Sequence, residues 1–239
     1  DYLAALPEFQ EGLFQVQDVS SMLAVEAAGV KPGDSCMDVC AAPGGKSLFL
    51  AEKTGPKGQV DARDLTGYKA ALIRDNAGRL GAENITVSVR DACVPDPGSE
   101  EKADVLIADL PCSGLGVLGK KTDLKYRMSR EQQEELAALQ RKMLDTVQAY
   151  VKPGGTLLYS TCTISSAENE ENVRWFLERY PYEAESLENC LPKELAEQSS
   201  GVSGESPEEM LRRGYLQLLP GVHACDGFFI AKFRKKMKQ

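Results

Sequence analysis

The feature that most constrains this chain is a regular alternation of short apolar runs with longer helical stretches. The runs are Cys36–Val39, Val60–Ala62, Ile85–Val89, Val105–Ala108 and Thr156–Tyr159. Residues 46–53, 66–80, 130–151 and 166–180 read as helices, and a further short one at 18–29 precedes the first run. Strands alternating with helices imply right-handed crossovers and a parallel sheet covered on both faces. Tyr215–Leu219 and Phe228–Phe233 then read as antiparallel closing strands. The expected class is α/β: a doubly wound, mostly parallel, Rossmann-like sheet.

Local punctuation supports these assignments. Ser20 or Ser21 is placed to cap the first helix, with Gly29 past its end. Ser129 with Gln132 and Ser165 with Glu168 have capping-box spacing. Lys152-Pro153-Gly154-Gly155 reads as a stop between a helix and the fifth strand. The Ser-, Glu- and Gly-rich stretch 188–209 reads as a long loop or insertion. No repeat and no second domain of comparable size is visible. The expected division is an entry segment with a short helix, 1–34, and one main domain, 35–239.

With 239 residues, 42% of them hydrophobic, the chain buries a core without a disulfide or metal staple. Seven cysteines cannot all pair, no Cys-x-x-Cys is present, and His223 is the single histidine. Cys/His metal binding and a histidine base are therefore not expected. Free thiols fit a reducing cytoplasm, and no apolar run approaches a membrane span. Nothing suggests an obligate interface, so a monomer is expected. The start at Asp1 suggests a piece of something longer.

The net charge of −8 argues against a nucleic-acid partner until its distribution is considered. Residues 163–209 hold twelve acids against three bases, so the remainder is close to neutral. Within that remainder lies one cluster of Lys120, Lys121, Lys125, Arg127 and Arg130, placed to contact phosphates. A second, Lys232, Arg234, Lys235, Lys236 and Lys238, reads as a solvated run.

In a doubly wound sheet, ligands gather beyond the carboxyl ends of the strands. A polar motif follows each of the five: Cys40–Lys46, Asp64, Asp91, Asp109–Gly116 and Ser160–Thr163. Gly44-Gly45-Lys46-Ser47 resembles the end of a phosphate-binding loop, but Cys40 stands where that loop needs glycine. What remains is a glycine turn that lets a ligand approach the backbone at a helix N-terminus. Asp64, nineteen residues beyond Gly45, suits hydrogen bonding to ribose hydroxyls. In Asp109-Leu110-Pro111-Cys112 a cysteine replaces the aromatic residue usual in amine methyltransferases, which points a thiol at the substrate. Ser160-Thr161-Cys162-Thr163 places a second cysteine at a strand end. Cys36, Cys93, Cys190 and Cys225 are read as small buried hydrophobes.

CAAPGGK, DLPCSGLG and STCT, in this order and spacing, resemble the Sun/Fmu group of RNA (cytosine-5) methyltransferases. Within the group they are most similar to the bacterial 16S ribosomal-RNA methyltransferase B type. Gln17–Ser21 and Asp226–Phe229 extend the likeness over nearly the whole chain, while 183–209 is its least family-like part. The resemblance implies a class I methyltransferase fold, S-adenosylmethionine as cofactor and an RNA cytidine, single-stranded or extruded, as substrate. It further implies that Cys162 attacks the base, Cys112 assists release and Asp109 holds the base edge. Lys46 would favour the thiolate or touch the substrate. Cys40, Ala41, Ala42, Pro43, Gly44, Gly45 and Lys46 would wrap the methionine end of the cofactor, Asp64 the ribose and Asp91 the adenine amino group. A transfer-RNA methyltransferase and a non-catalytic ribosome-assembly module are the alternatives.

Overall fold

The computed structural model describes residues 3–203 and 205–238, without the side chains of residue 125, residues 200–203 and residue 207. In chain order the elements begin with α1 (Pro7–Gln10), α2 (Val19–Ala28), β1 (Ser35–Asp38), α3 (Gly45–Thr54), β2 (Gln59–Asp64) and α4 (Gly67–Arg79). Then follow β3 (Ile85–Val89), β4 (Ala103–Asp109), α5 (Leu124–Arg127), α6 (Arg130–Val147) and β5 (Val151–Thr161). The last elements are α7 (Glu170–Arg179), β6 (Tyr182–Ala184), α8 (Lys193–Ser203), α9 (Pro207–Arg212), β7 (Tyr215–Leu218) and β8 (Phe228–Lys235). One sheet runs β3-β2-β1-β4-β5-β8-β6, with β7 also on the outer edge of β8. The first five strands are parallel; β8 runs antiparallel to β5, β6 and β7. The expected doubly wound sheet with antiparallel closing strands is borne out.

The two-residue strand period sorts the core into its two faces. Val105, Ile107, Leu158 and Ile230 pack with Ala24, Ala27 and Leu50 of α2 and α3. Their neighbours Leu106, Leu157, Tyr159 and Phe229 pack with Met143, Leu144 and Phe176 of α6 and α7. Strand order reverses between β1 and β4, and that opens a crevice at their carboxyl ends.

Several local expectations are corrected. The α2 cap is Asp18, whose carboxylate accepts from Ser20 N–H at 3.0 Å, rather than Ser20 or Ser21. The stretch 188–209 is not a loop: it forms α8 and α9, because Leu191, Ala196, Met210 and Leu211 reach the core below Leu216. Overall polarity hid those few apolar positions. Lys152–Gly155 lies inside β5 beside a register shift against β4, with Gly154 at φ 76°, so it bends a strand rather than preceding one. The helix expected at 166–180 begins only at Glu170, and Glu168 is not its capping partner. Lys232 and Lys235 are buried, not solvated. Lys232 pairs with Glu185, and Lys235 donates to the Val151 carbonyl, because β8 is internal to the sheet. Of the four cysteines read as buried, Cys36 is; Cys93, Cys190 and Cys225 are half-buried.

Candidate active site

The β1–α3 turn builds one wall of the crevice. Gly44 adopts φ 110°, a left-handed conformation that favours glycine, and turns the chain into α3. Asp38, the last residue of β1, sits beneath this turn at 1% exposure and accepts from the Ser47 hydroxyl at 2.7 Å. Burial pushes its carboxyl up to about 6, against the opposing effects of Ser47 and the Lys46 charge. The other wall is the end of β4, where Asp109 meets the Lys46 ammonium at 2.7 Å and the Ser160 hydroxyl at 2.8 Å. Lys46 also donates to the Ser21 hydroxyl at 3.0 Å and lies over the Phe228 ring. Burial alone would lower the Lys46 pKa; the charge and hydrogen bond of Asp109 raise it instead.

Between these walls is a cavity of about 200 Å³, bounded by Gln17, Asp38, Cys40–Pro43, Gly45, Lys46 and Asp109. Two buried atoms of its lining, Gln17 Nε2 and Asp38 Oδ1, have no hydrogen-bond partner. An unmet buried polar group costs about 1–3 kcal/mol. A donor and an acceptor unmet in one cavity fit a ligand that carries both signs, as the amino-acid end of S-adenosylmethionine does. The expected cofactor loop thus lines a real cavity.

The other expected cofactor residues lie along the same edge. Asp64 is buried; its carboxylate accepts from Ala42 N–H at 3.0 Å and Leu65 N–H at 2.7 Å and pairs with Lys69. It braces the turn as well as ending β2. Asp91 is exposed and accepts from Cys93 N–H at 2.8 Å.

Cys112 and Cys162, fifty residues apart, bring their sulfurs to 3.3 Å beside this cavity. The hydrogen bond between them lowers the Cys162 pKa, an effect that the Lys121 and Lys46 charges reinforce against burial and Asp109. The same bond, together with burial, holds the Cys112 thiol well above its usual range. The two thiols thus share one hydrogen bond, and the neighbouring cations favour a thiolate at Cys162. Cys40 is different: burial, then the charges of Asp38, Asp64 and Asp109, push its thiol up, which suits a lining residue and not a nucleophile.

Gly116 holds the Cys162 loop in place. Its N–H donates to the Cys162 carbonyl at 3.0 Å, and its carbonyl accepts from Gly227 N–H at 2.9 Å. A Cβ there would lie 2.0 Å from the Gly227 oxygen, so only glycine fits.

The basic cluster divides on folding. Lys120 is held by Asp18 at 2.9 Å and Asp226 at 2.6 Å, and these carboxylates, Asp226 foremost, raise its pKa. It pins the Cys112 loop to the start of α2 and to the β7–β8 connection. Arg127 and Arg130 make exposed pairs with Asp123 and Glu134, and Lys121 has no carboxylate partner among the described residues. The Lys125 side chain lies outside the described residues.

Asp38, Gln17, Ser21 and Phe228 were not anticipated at the site, whereas Ser160 stands in the Ser160–Thr163 motif expected at this edge. For Asp38 a signal existed: an acid closing an apolar strand two residues before Cys40. Ser21 was read as a cap, and Phe228 as sheet core. Among the described residues, no group of three or more His, Cys, Asp or Glu side chains could hold a metal, and no helix is long and apolar enough to cross a membrane.

A family profile described as "16S rRNA methyltransferase RsmB/F" matches residues 26–234. Over 231 residues the chain is 39% identical to the probable ribosomal RNA small subunit methyltransferase B of Bacillus subtilis, covering 95% of this chain and 49% of that protein. It is 35% identical to the ribosomal RNA small subunit methyltransferase F of Klebsiella pneumoniae, covering 98% and 47%. The chain thus spans about half the length of the curated relatives it matches. Its fold superposes on NSun6 from Pyrococcus horikoshii, solved with the S-adenosylmethionine analogue SFG, with a TM-score of 0.83 and 30% identity, covering 100% of this chain and 57% of that one. A SAM-dependent methyltransferase from Aquifex aeolicus shares the fold alone, with a TM-score of 0.55 and 14% identity, covering 96% and 93%. The expected cofactor, S-adenosylmethionine, is borne out as that of the family and fold. The chain belongs to the 16S rRNA methyltransferase RsmB/F family.

Proposed function

We propose that this chain transfers a methyl group from S-adenosylmethionine to carbon 5 of a cytidine in RNA, with ribosomal RNA as the substrate class, through a covalent bond to Cys162. The observation that carries this reading is the 3.3 Å approach of two thiols at the strand edge that also holds the Lys46–Asp109 pair. Other methyl transfers have no use for two cysteines at this edge.

Carbon 5 of cytosine is a poor nucleophile, and covalent catalysis divides the difficulty. The Cys162 thiolate adds to carbon 6, which makes carbon 5 enamine-like. Asp109 holds the amino and ring-nitrogen edge of the base, where charge develops during addition. S-adenosylmethionine supplies an electrophilic methyl group on a sulfonium, and carbon 5 accepts it. Cys40–Lys46 would hold its methionine end, with Asp38 and Gln17 facing its charged groups; Asp64 and Asp91 mark the ribose and adenine ends. Once the Cys162 sulfur is bound to carbon, it no longer needs the Cys112 hydrogen. Cys112 then gives its own proton to solvent and, as a thiolate, accepts the carbon-5 proton, and elimination returns the Cys162 thiolate. Lys121, Arg127 and Arg130 are the cations we assign to RNA phosphates. In this reading residues 1–34 lead into a methyltransferase unit, 35–239.

The test is transfer of labelled methyl to naked small-subunit ribosomal RNA and to transfer RNA, followed by digestion to nucleosides. Label in 5-methylcytidine supports the proposal, and preference for ribosomal RNA supports its substrate class. Label in another nucleoside, or cofactor binding without transfer to either RNA, would overturn it.

A further inference from the structure

A buried carboxyl group hydrogen-bonded to the residue after Cys112 has no part in that chemistry. Glu168 is 0% exposed. Its carboxylate accepts from the Ser113 N–H at 2.9 Å, from the Ser113 hydroxyl, and from the Gln140 amide at 2.9 Å. The Ser113 hydroxyl also meets the Thr163 hydroxyl at 2.7 Å. Because the Ser113 hydrogen is directed at Glu168, Thr163 donates the bond between the two hydroxyls. Ser113 follows Cys112 and Thr163 follows Cys162. One chain of bonds, Thr163 to Ser113 to Glu168, therefore joins the neighbours of both sulfurs.

The clasp is closed on the far side of Cys112 as well. Gln140 donates to the Pro111 carbonyl at 2.8 Å, so the peptide on each flank of Cys112 is tied to the Glu168–Gln140 pair. Glu168 is itself fixed: its carbonyl accepts from the Tyr159 hydroxyl and from the Asn172 amide. A buried carboxylate is expensive to desolvate, and holding a loop does not by itself require one. What a charged acceptor adds is shorter and stronger bonds to its donors, hence a tighter geometry.

We propose that Glu168 is a positioning residue that sets the distance between Cys112 and Cys162 through Ser113 and Thr163. The proposal rests on the two-cysteine reading above. Its consequence is asymmetric. Before attack, the sulfur–sulfur hydrogen bond helps to hold Cys112 in place. After Cys162 has bonded to carbon 6, the Glu168 clasp is what keeps Cys112 within reach of the adduct. Loss of the clasp should therefore slow release more than attack.

The experiment compares the full chain as wild type, Glu168→Gln, Ser113→Ala, Cys112→Ala and Cys162→Ala, with ribosomal RNA and labelled S-adenosylmethionine. Readouts are cofactor affinity, kcat, KM for RNA, and RNA adduct that survives a denaturing gel. For Glu168→Gln we expect cofactor affinity and KM within about twofold of wild type, but kcat reduced about tenfold to a hundredfold, the effect of moving a reacting group by up to an ångström. Adduct should accumulate toward the Cys112→Ala level. Ser113→Ala keeps the backbone bond and should show a milder form of the same behaviour, which carries the test if Glu168→Gln does not fold. Normal turnover in both variants, or lost turnover without adduct while Cys112→Ala does accumulate it, would overturn the clasp alone. Absence of adduct in Cys112→Ala would overturn the two-cysteine reading and the clasp with it.

Discussion

The ammonium of Lys46, in the first turn of α3, lies 2.7 Å from the carboxylate of Asp109 at the end of β4. The pair spans the point where strand order reverses, and it joins the two walls of the cavity. Both charges are largely withdrawn from solvent, with side chains 12% and 25% exposed. Either residue alone leaves an unmatched charge beside the cavity.

Lys46→Met and Asp109→Asn should each destabilise the fold by about 1–3 kcal/mol, below the usual cost of breaking a fully buried pair. The double variant should lose less than the sum of the two, as expected for residues in direct contact. Urea midpoints of the three proteins check this. Additive losses would mean that the pair is not coupled in solution.

The two thiols should alkylate in a defined order. The Cys112 hydrogen bond favours the Cys162 thiolate, so Cys162 should react with iodoacetamide at lower pH than Cys112. Cys112→Ala removes that bond, so the Cys162 profile should move to higher pH. Mass spectrometry of pulse-alkylated protein reads both. A profile unmoved by Cys112→Ala would show that the sulfur–sulfur bond does not tune Cys162.

Asp38 should make the ligand-free protein lose stability as pH rises. Its folded pKa of about 6 lies above the ordinary 3.8, so the folded state holds a proton that the unfolded chain releases first. The stabilisation is complete below about pH 4 and disappears as pH rises through about 6. It amounts to about 3 kcal/mol at most. Asp38→Asn should flatten this dependence, as measured by denaturant titration across that window. A parallel pH profile in the variant would argue against a raised Asp38.

Gly116→Ala should be disruptive although it adds one methyl group. The new Cβ would fall 2.0 Å from the Gly227 oxygen and 2.8 Å from the Cys162 oxygen. Backbone must move, at a cost of about 1–3 kcal/mol or more. Methyl transfer should fall sharply, with cofactor affinity retained because the β1–α3 turn is not displaced. Calorimetry beside an activity assay separates the two effects.

The basic cluster makes a divided prediction. Neutralising Lys121 and Arg130 should reduce the log–log salt slope of single-stranded RNA binding by about 1.4. Lys120→Gln should change the slope little, since Asp18 and Asp226 already compensate that charge, and should instead lower the melting temperature. Equal slope changes for all three would mean that Lys120 exchanges its carboxylates for phosphates.

Much of the fold was legible before any tertiary contact was considered. Apolar runs mark the five parallel strands because a doubly covered strand carries no polar face. Gly44 is legible because a chain leaving β1 for α3 must adopt a left-handed conformation there. The cavity loop, Asp109, Cys112 and Cys162 follow because residues at strand ends need no knowledge of their neighbours to be placed on the catalytic edge. Tertiary structure decided the rest. Whether Ser165 and Glu168 cap a helix or Glu168 clamps the cysteine loops depends on Ser113, fifty-five residues away. Whether Lys120 faces phosphate or pairs with Asp18 and Asp226 depends on partners more than a hundred residues distant. The same holds for α8, whose polar sequence folds because Ala196 and its neighbours find an apolar surface there. Periodicity and turn chemistry act locally and can be read along the chain. The assignment of a charge or a hydroxyl to one partner among several is a competition between sites, and only the packed structure holds those sites at fixed distances.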